Sequence, residues 1–142
     1  MWTVAGIYNV RARARCATDT SVVSDWSNPL PVGISVSKIS VTPTAYDFGN
    51  VKVKRSKSAS FVAKNTGTAD LSISSLKLTG TDASVFAITS GSGSKTIKPG
   101  KSLTIKVAFK PTSQGAKSAK LEIISNDPVS LMTTITLSGA GQ

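Results

Sequence analysis

The chain has no histidine, one cysteine and only seven carboxylates among 142 residues. These scarcities remove most of the side chains that perform acid–base, nucleophilic or metal chemistry. The chain therefore reads as a protein that is not an enzyme and that carries neither cofactor nor metal. A serine nucleophile would need a lysine as its base, and Ser74 with Lys77 has the Ser-x-x-Lys spacing. Its alternating apolar setting, however, reads as strand rather than the helix that this motif requires. Cys16 has no second cysteine to pair with inside the chain. A lone small apolar cysteine is expected to pack in a core, the competing reading being a reactive or intermolecular thiol.

Long apolar runs are missing as well. No stretch approaches the roughly 20 residues that span a bilayer, so membrane insertion is not expected. Met1-Trp2 opens directly on strand-like sequence, so any export address would lie outside this chain. None of the asparagines begins an Asn-x-Ser/Thr sequon. Runs of helix formers are scarce while serine and threonine abound, which predicts short strands joined by turns and no helix.

Charge is one-sided: 17 Lys and Arg stand against seven Asp and Glu, a formal +10. Such a balance attracts anionic partners over long range. From Lys38 onward there are fourteen cations and five carboxylates, mostly single lysines on strand faces and turns, a pattern that serves solubility and guards sheet edges. The one cluster is Lys52, Lys54, Arg55 and Lys57. It lacks the interleaved aromatics of a single-stranded nucleic-acid site, so specific nucleic-acid binding is not expected. Two readings of it stay open, a contact surface or the solvated shoulder of a β-hairpin.

The turn signals divide the chain into a segment 1–36 and a segment 37–142. In the first, residues 7–16 alternate strictly, with Tyr8, Val10, Ala12, Ala14 and Cys16 on one face and Asn9, Arg11, Arg13 and Arg15 on the other. This predicts a half-buried strand, with residues 22–26 returning beside it until Pro29 and Pro31 end the pairing. Tyr8-x-x-Arg11-x-Arg13 followed by Ser24-Asp25-Trp26-Ser27-x-Pro29 resembles the last two strands of a fibronectin type III domain. The residues suggest Arg11 or Arg13 lying over the Trp26 ring as a cation–π contact, or else Trp26 covering apolar surface near the strand ends. A whole type III module has about seven strands. The pair alone is expected to dock on the following domain, pair with another chain or be mobile, as an excerpt of a longer multidomain protein would.

The second segment carries an ordered series of turn signals between alternating runs. Ile39 and Val41 are followed by Pro43; Tyr46 and Phe48 precede Gly49-Asn50, read as a turn. Ala59, Phe61 and Ala63 share one parity before Asn65-Thr66-Gly67-Thr68, and a bulge at Ser74-Ser75 would join Leu71 and Ile73 to Leu76 and Leu78. Phe86 and Ile88 follow, then Leu103, Ile105, Val107 and Phe109, then Ala119, Leu121 and Ile123, and finally Thr133, Ile135 and Leu137. Seven to eight short strands at this spacing predict an all-β, two-sheet sandwich in which Phe48 and Phe109 anchor the core.

The motifs Phe48-Gly49-Asn50-Val51, Asn65-Thr66-Gly67-Thr68 with Leu71, Pro99-Gly100, Phe109-x-Pro111 with Gly115, Ser125-Asn126-Asp127-Pro128 and Leu137-x-Gly139-x-Gly141 stand in that order. Together they resemble the immunoglobulin-like domains of the abnormal spindle, SPD-2 and hydin family and the related bacterial choice-of-anchor repeats. The resemblance implies a non-catalytic spacer, adhesion or assembly module in a longer bacterial protein, extracellular, at the cell surface or periplasmic. Eukaryotic relatives keep a cytoskeletal or ciliary location as the alternative. Expected partners are a protein or cell-surface polymer and neighbouring domains of the parent chain. The competing functions are an electrostatic binder of anionic polymers and a subunit that oligomerises by strand exchange through its N-terminal hairpin.

Overall fold

The computed structural model describes residues 4–19, 21 and 23–142. Met1-Trp2 and Val22, at the start of the expected returning strand, lie outside them. The chain divides into two compact units, Met1–Ser35 and Val36–Gln142.

The first unit is a ribbon of β1 (Gly6–Val10) and β2 (Leu30–Ile34), antiparallel, with Tyr8 opposite Val32 and Asn9 opposite Pro31. Pairing therefore does not end at the prolines. A two-stranded ribbon leaves every other N–H pointing outward, where a proline removes nothing. Beyond Val10 the regular ladder stops, and two serines continue it. The amides of Ala12 and Ala14 donate to the hydroxyls of Ser27 and Ser24 at 3.0 and 2.9 Å, while the amides of Ser27 and Ser24 donate back to the Ala12 and Ala14 carbonyls. An isolated bridge joins Arg15 to Val23. The alternation of residues 7–16 is not realised as burial. Tyr8 is half-buried, but Val10, Ala12, Ala14 and Cys16 are exposed because the strand they would extend gives way to this serine-bridged stretch.

The second unit is a sandwich of nine strands among the described residues. One sheet has β3 (Ile39–Thr42), β5 (Lys57–Asn65), β9 (Ser102–Phe109) and β7 (Phe86–Ser90) in that order. The other has β4 (Ala45–Val51), β11 (Met132–Gly141), β10 (Gly115–Ser125), β6 (Leu71–Thr79) and β8 (Lys95–Ile97). The chain changes sheets between β3 and β4, where the Thr42-Pro43 peptide is cis. β4 then runs parallel to the last strand, β11, with Tyr46 opposite Leu137 and Val51 opposite Gly141.

The alternating runs become the inner faces of both sheets. Phe48, Phe61, Phe109, Ile105, Val107, Leu121, Ile123, Ile135 and Leu137 are fully buried. Phe86 stacks on Phe109 at 4.8 Å between ring centres, and Phe48 lies 5.5 Å from Phe109. Gly139 keeps room for these rings, since a Cβ there would stand 2.7 Å from Phe109. The bulge in β6 lies where the serines are. Ile124 pairs with Ser75 and Ser125 with Ile73, so Ser74 is the extra residue that carries the inward parity from Ile73 to Leu76.

Three features depart from the pattern expected of the sequence. Gly49-Asn50 is a bulge inside β4, not a turn: Gly49 has φ +65°, and the register against β11 shifts between Ser138 and Ala140. The short strand β8 and a 3-10 turn at Ala83–Val85 carry too few apolar residues to show a period. Strand β11 runs on through the inward Gly139 and Gly141.

Candidate interaction site

The cations after β4 occupy a crossover between sheets. β4 belongs to the five-stranded sheet and β5 to the four-stranded one, so residues 52–56 cap one end of the sandwich rather than the shoulder of a hairpin. The loop backbone is held at several points. The Val53 amide donates to the Gln142 carbonyl and the Lys54 amide to the Pro111 carbonyl, both at 2.9 Å; the Arg55 amide closes a turn on Lys52. Lys54 has φ +69°, a left-handed conformation that favours glycine.

The side chains divide by role. Lys57 Nζ donates to the Phe48 carbonyl at 2.8 Å and so ties β5 to β4 across the sheets. Lys52, Lys54 and Arg55 are exposed. Lys110, far off in sequence, joins them, because the next residue, Pro111, receives the Lys54 amide while the Lys110 amide is fixed on the Val85 carbonyl at 2.8 Å. Among the described residues the ion pairs are Lys98 with Asp70 at 2.7 Å and Lys117 with Asp82 at 3.7 Å, so none of these four cations has a carboxylate partner. Separation along the sequence hid Lys110; its place directly before the Pro111 stop was the available signal.

At the other end of the sandwich the buried polar side chains hold the fold. Asn65 donates through Nδ2 to the Ala69 and Ile97 carbonyls, both at 2.8 Å, and accepts the Gly67 amide. Gly67 is required by close approach, since a Cβ would lie 2.3 Å from the Val36 carbonyl oxygen. Asn126 serves the start of β6 rather than its own turn, accepting the Ser72 amide at 2.8 Å. The turn belongs to Asp127, whose Oδ1 accepts the Val129 and Ser130 amides and whose Oδ2 accepts the Ile39 amide at 2.9 Å. Burial pushes this carboxyl up, but those amides, helped by Lys38, outweigh it and hold the carboxyl below its ordinary value.

In the first unit Arg13 lies over the Trp26 ring with its guanidinium carbon 4.8 Å from the ring centre; no ring contact of Arg11 occurs among the described residues. Cys16 is exposed, not packed in a core. Its sulfur lies 3.3 Å from the Thr18 hydroxyl, and this contact, with the Asp19 and Thr18 amides, draws the thiol below its ordinary value. An open depression of about 410 Å³ beside Asp47, Asn50 and Lys117 is floored by Gly139, Ala116 and Ala140. None of the buried polar side chains lies in it.

Two packed sheets with a first strand that switches between them and closes in parallel on the last define an immunoglobulin-like sandwich. The chain belongs to the HYDIN/CFA65/VesB-like family of Ig-like domains, whose model matches residues 37–140. No curated protein sequence matches it. Among solved structures it is similar to the ASH/PapD-like domain 7 of human CEP192, at 14% identity and TM-score 0.58 over 75% of this chain and 87% of that one. It is also similar to the VesB protease of Vibrio cholerae, at 17% identity and TM-score 0.57, covering 72% of this chain but 31% of the protease. The DraB chaperone of E. coli matches at 13% identity and TM-score 0.54, over 75% of this chain and 56% of the chaperone.

Proposed function

We propose that this chain is a non-catalytic structural and interaction module of a longer bacterial protein, displayed outside the cytoplasm, where it spaces other domains and pairs with a partner protein. The observation that carries the reading is the use of its buried polar groups: Asn65, Asp127 and Ser37 all bond backbone that joins strands and turns. The limited share of VesB that the chain covers supports a domain attached to others. The first unit is taken as part of a fibronectin type III-like neighbour, on its Arg13–Trp26 stack.

The sheet edge best suited to a partner is β7. It pairs on one side only, with β9, and its five residues Phe-Ala-Ile-Thr-Ser hold neither charge nor proline. The other edges are shorter or charged: β4 carries Asp47, β8 has three residues, and β3 is bounded by Lys38 and Pro43. The likeness to a chaperone fold supports recognition of protein by strand addition. Hydrogen exchange of the chain with a partner captured from the envelope should show new protection at β7 amides. Protection confined to loops would overturn pairing at this edge.

A second reading, assembly by strand exchange, is favoured by the exposed Ile7 and Leu30 on a ribbon with two open edges. Sedimentation should then show concentration-dependent dimers that vanish when residues 1–36 are deleted. An unchanged monomer at all concentrations sinks it.

A further inference from the structure

We propose that the end of the sandwich built from the β4–β5 crossover and the β9–β10 loop binds an acidic polysaccharide through Lys52, Lys54, Arg55 and Lys110. The inference rests on the interaction-module reading and names a partner class for it. Folding, not sequence proximity, assembles the group, because the amide of Lys54 is bonded to the carbonyl of Pro111, the neighbour of Lys110. Like charges gathered without a carboxylate partner repel one another, and a bound polyanion relieves that repulsion.

The loop is also preorganised. Its amides are fixed to Gln142 and Pro111, so little backbone freedom is left to lose on binding. Lys54 adds an independent sign. Glycine would adopt φ +69° at no steric cost, yet this position carries a cation whose side chain projects into solvent.

The surroundings select the ligand. No aromatic stands on either loop to stack a base, which disfavours single-stranded nucleic acid. The apolar members Val51 and Pro111 are buried and Val53 is half-buried, so no wedge is offered to acyl chains. What remains is a polar surface on a fixed backbone, with three lysine ammonium groups, one guanidinium and no Asp or Glu on either loop. Such a surface fits a hydrated chain of regularly spaced sulfates or carboxylates.

The test uses the full chain with heparin as sulfated probe, polygalacturonate as carboxylated probe, neutral dextran, and random-sequence duplex DNA, at about 0.15 M salt. The variant Lys52→Ser/Lys54→Gly/Lys110→Ser is compared with Lys77→Ser/Lys95→Ser/Lys120→Ser, which removes the same charge from elsewhere. The first should weaken binding of at least one acidic polysaccharide about tenfold or more, and the second less than about threefold. Equal losses in the two variants, tighter binding of DNA than of either polysaccharide, or no binding by the parent chain would each overturn the proposal. The last result leaves the module reading standing, because exchange at β7 reports on it separately. Lys54→Gly alone should melt no lower than the parent, which separates lost contact from lost fold.

Discussion

At the scale of single residues, Asp127 and Phe109 show two ways of joining the sheets. Asp127 is 2% exposed and binds three amides, two in its own turn and one at the start of β3. Asp127→Asn sets an amide donor against one of those N–H groups and should cost about 1–3 kcal/mol at neutral pH. Because the folded carboxyl is held below its ordinary value, its stabilisation is present above about pH 4 and is lost as pH falls through the lowered folded value. Urea melts at pH 7 and pH 2.5 should show the gap between parent and variant shrinking at the lower pH. A constant gap would remove the carboxylate from the account.

Phe109 is fully buried among Phe48, Phe86 and the Cα of Gly139. Phe109→Ala should cost about 3–5 kcal/mol, and a parent-like Tm would sink the core role. Gly139→Ala should lower the Tm alone and lower it less beside Phe109→Leu, which relieves the 2.7 Å approach to the ring though not the 3.1 Å approach to the Phe48 Cβ. Residues of this kind were only half legible. The repeat of Phe48 and Phe109 in apolar alternation showed the anchors, but nothing local set Asp127 apart from Asn126 beside it. A side chain that reaches a strand distant in sequence leaves no local mark.

Elements whose inward face repeats strictly, β5, β9 and β10, could be read directly from the sequence, since one parity of each is buried. The β6 bulge was legible for the same reason, because the apolar parity changes across Ser74-Ser75. Deleting Ser74 should therefore be far milder than deleting Ser72: without Ser74, Ile73 and Leu76 stand two apart on one face and keep their register with Ser125 and Ile123, whereas without Ser72 Leu71 turns outward or its pairing with Ile97 slips. Comparison of the two variants by circular dichroism melts checks this, and equal Tm values would refute it. Gly49 misled because a bulge and a turn call for the same positive φ. The ribbon misled in another way, since alternation predicts a buried face only where something covers it. The cationic stretch was visible as a cluster, but its place at a sheet crossover depends on strand pairing that no short window contains.

For the whole molecule, the division at Ser35 and Val36 leaves the buried hydrophobic core within the second unit. Residues 37–142 expressed alone should unfold cooperatively, with Tm within a few degrees of the full chain. A loss of more than about 10 °C would make the first unit an integral part of that fold.

The parallel closure of β4 on β11 sets how the sandwich bears tension. Pulling on residue 37 and residue 142 draws the N-terminal end of β4 and the C-terminal end of β11 in opposite directions along their common axis. The β4–β11 ladder, reinforced by the Gln142 amide on the Val51 carbonyl, is loaded in shear, so its bonds must fail together. The first and last strands thus form a mechanical clasp, and a tether built from such units would resist extension until the clasp parts.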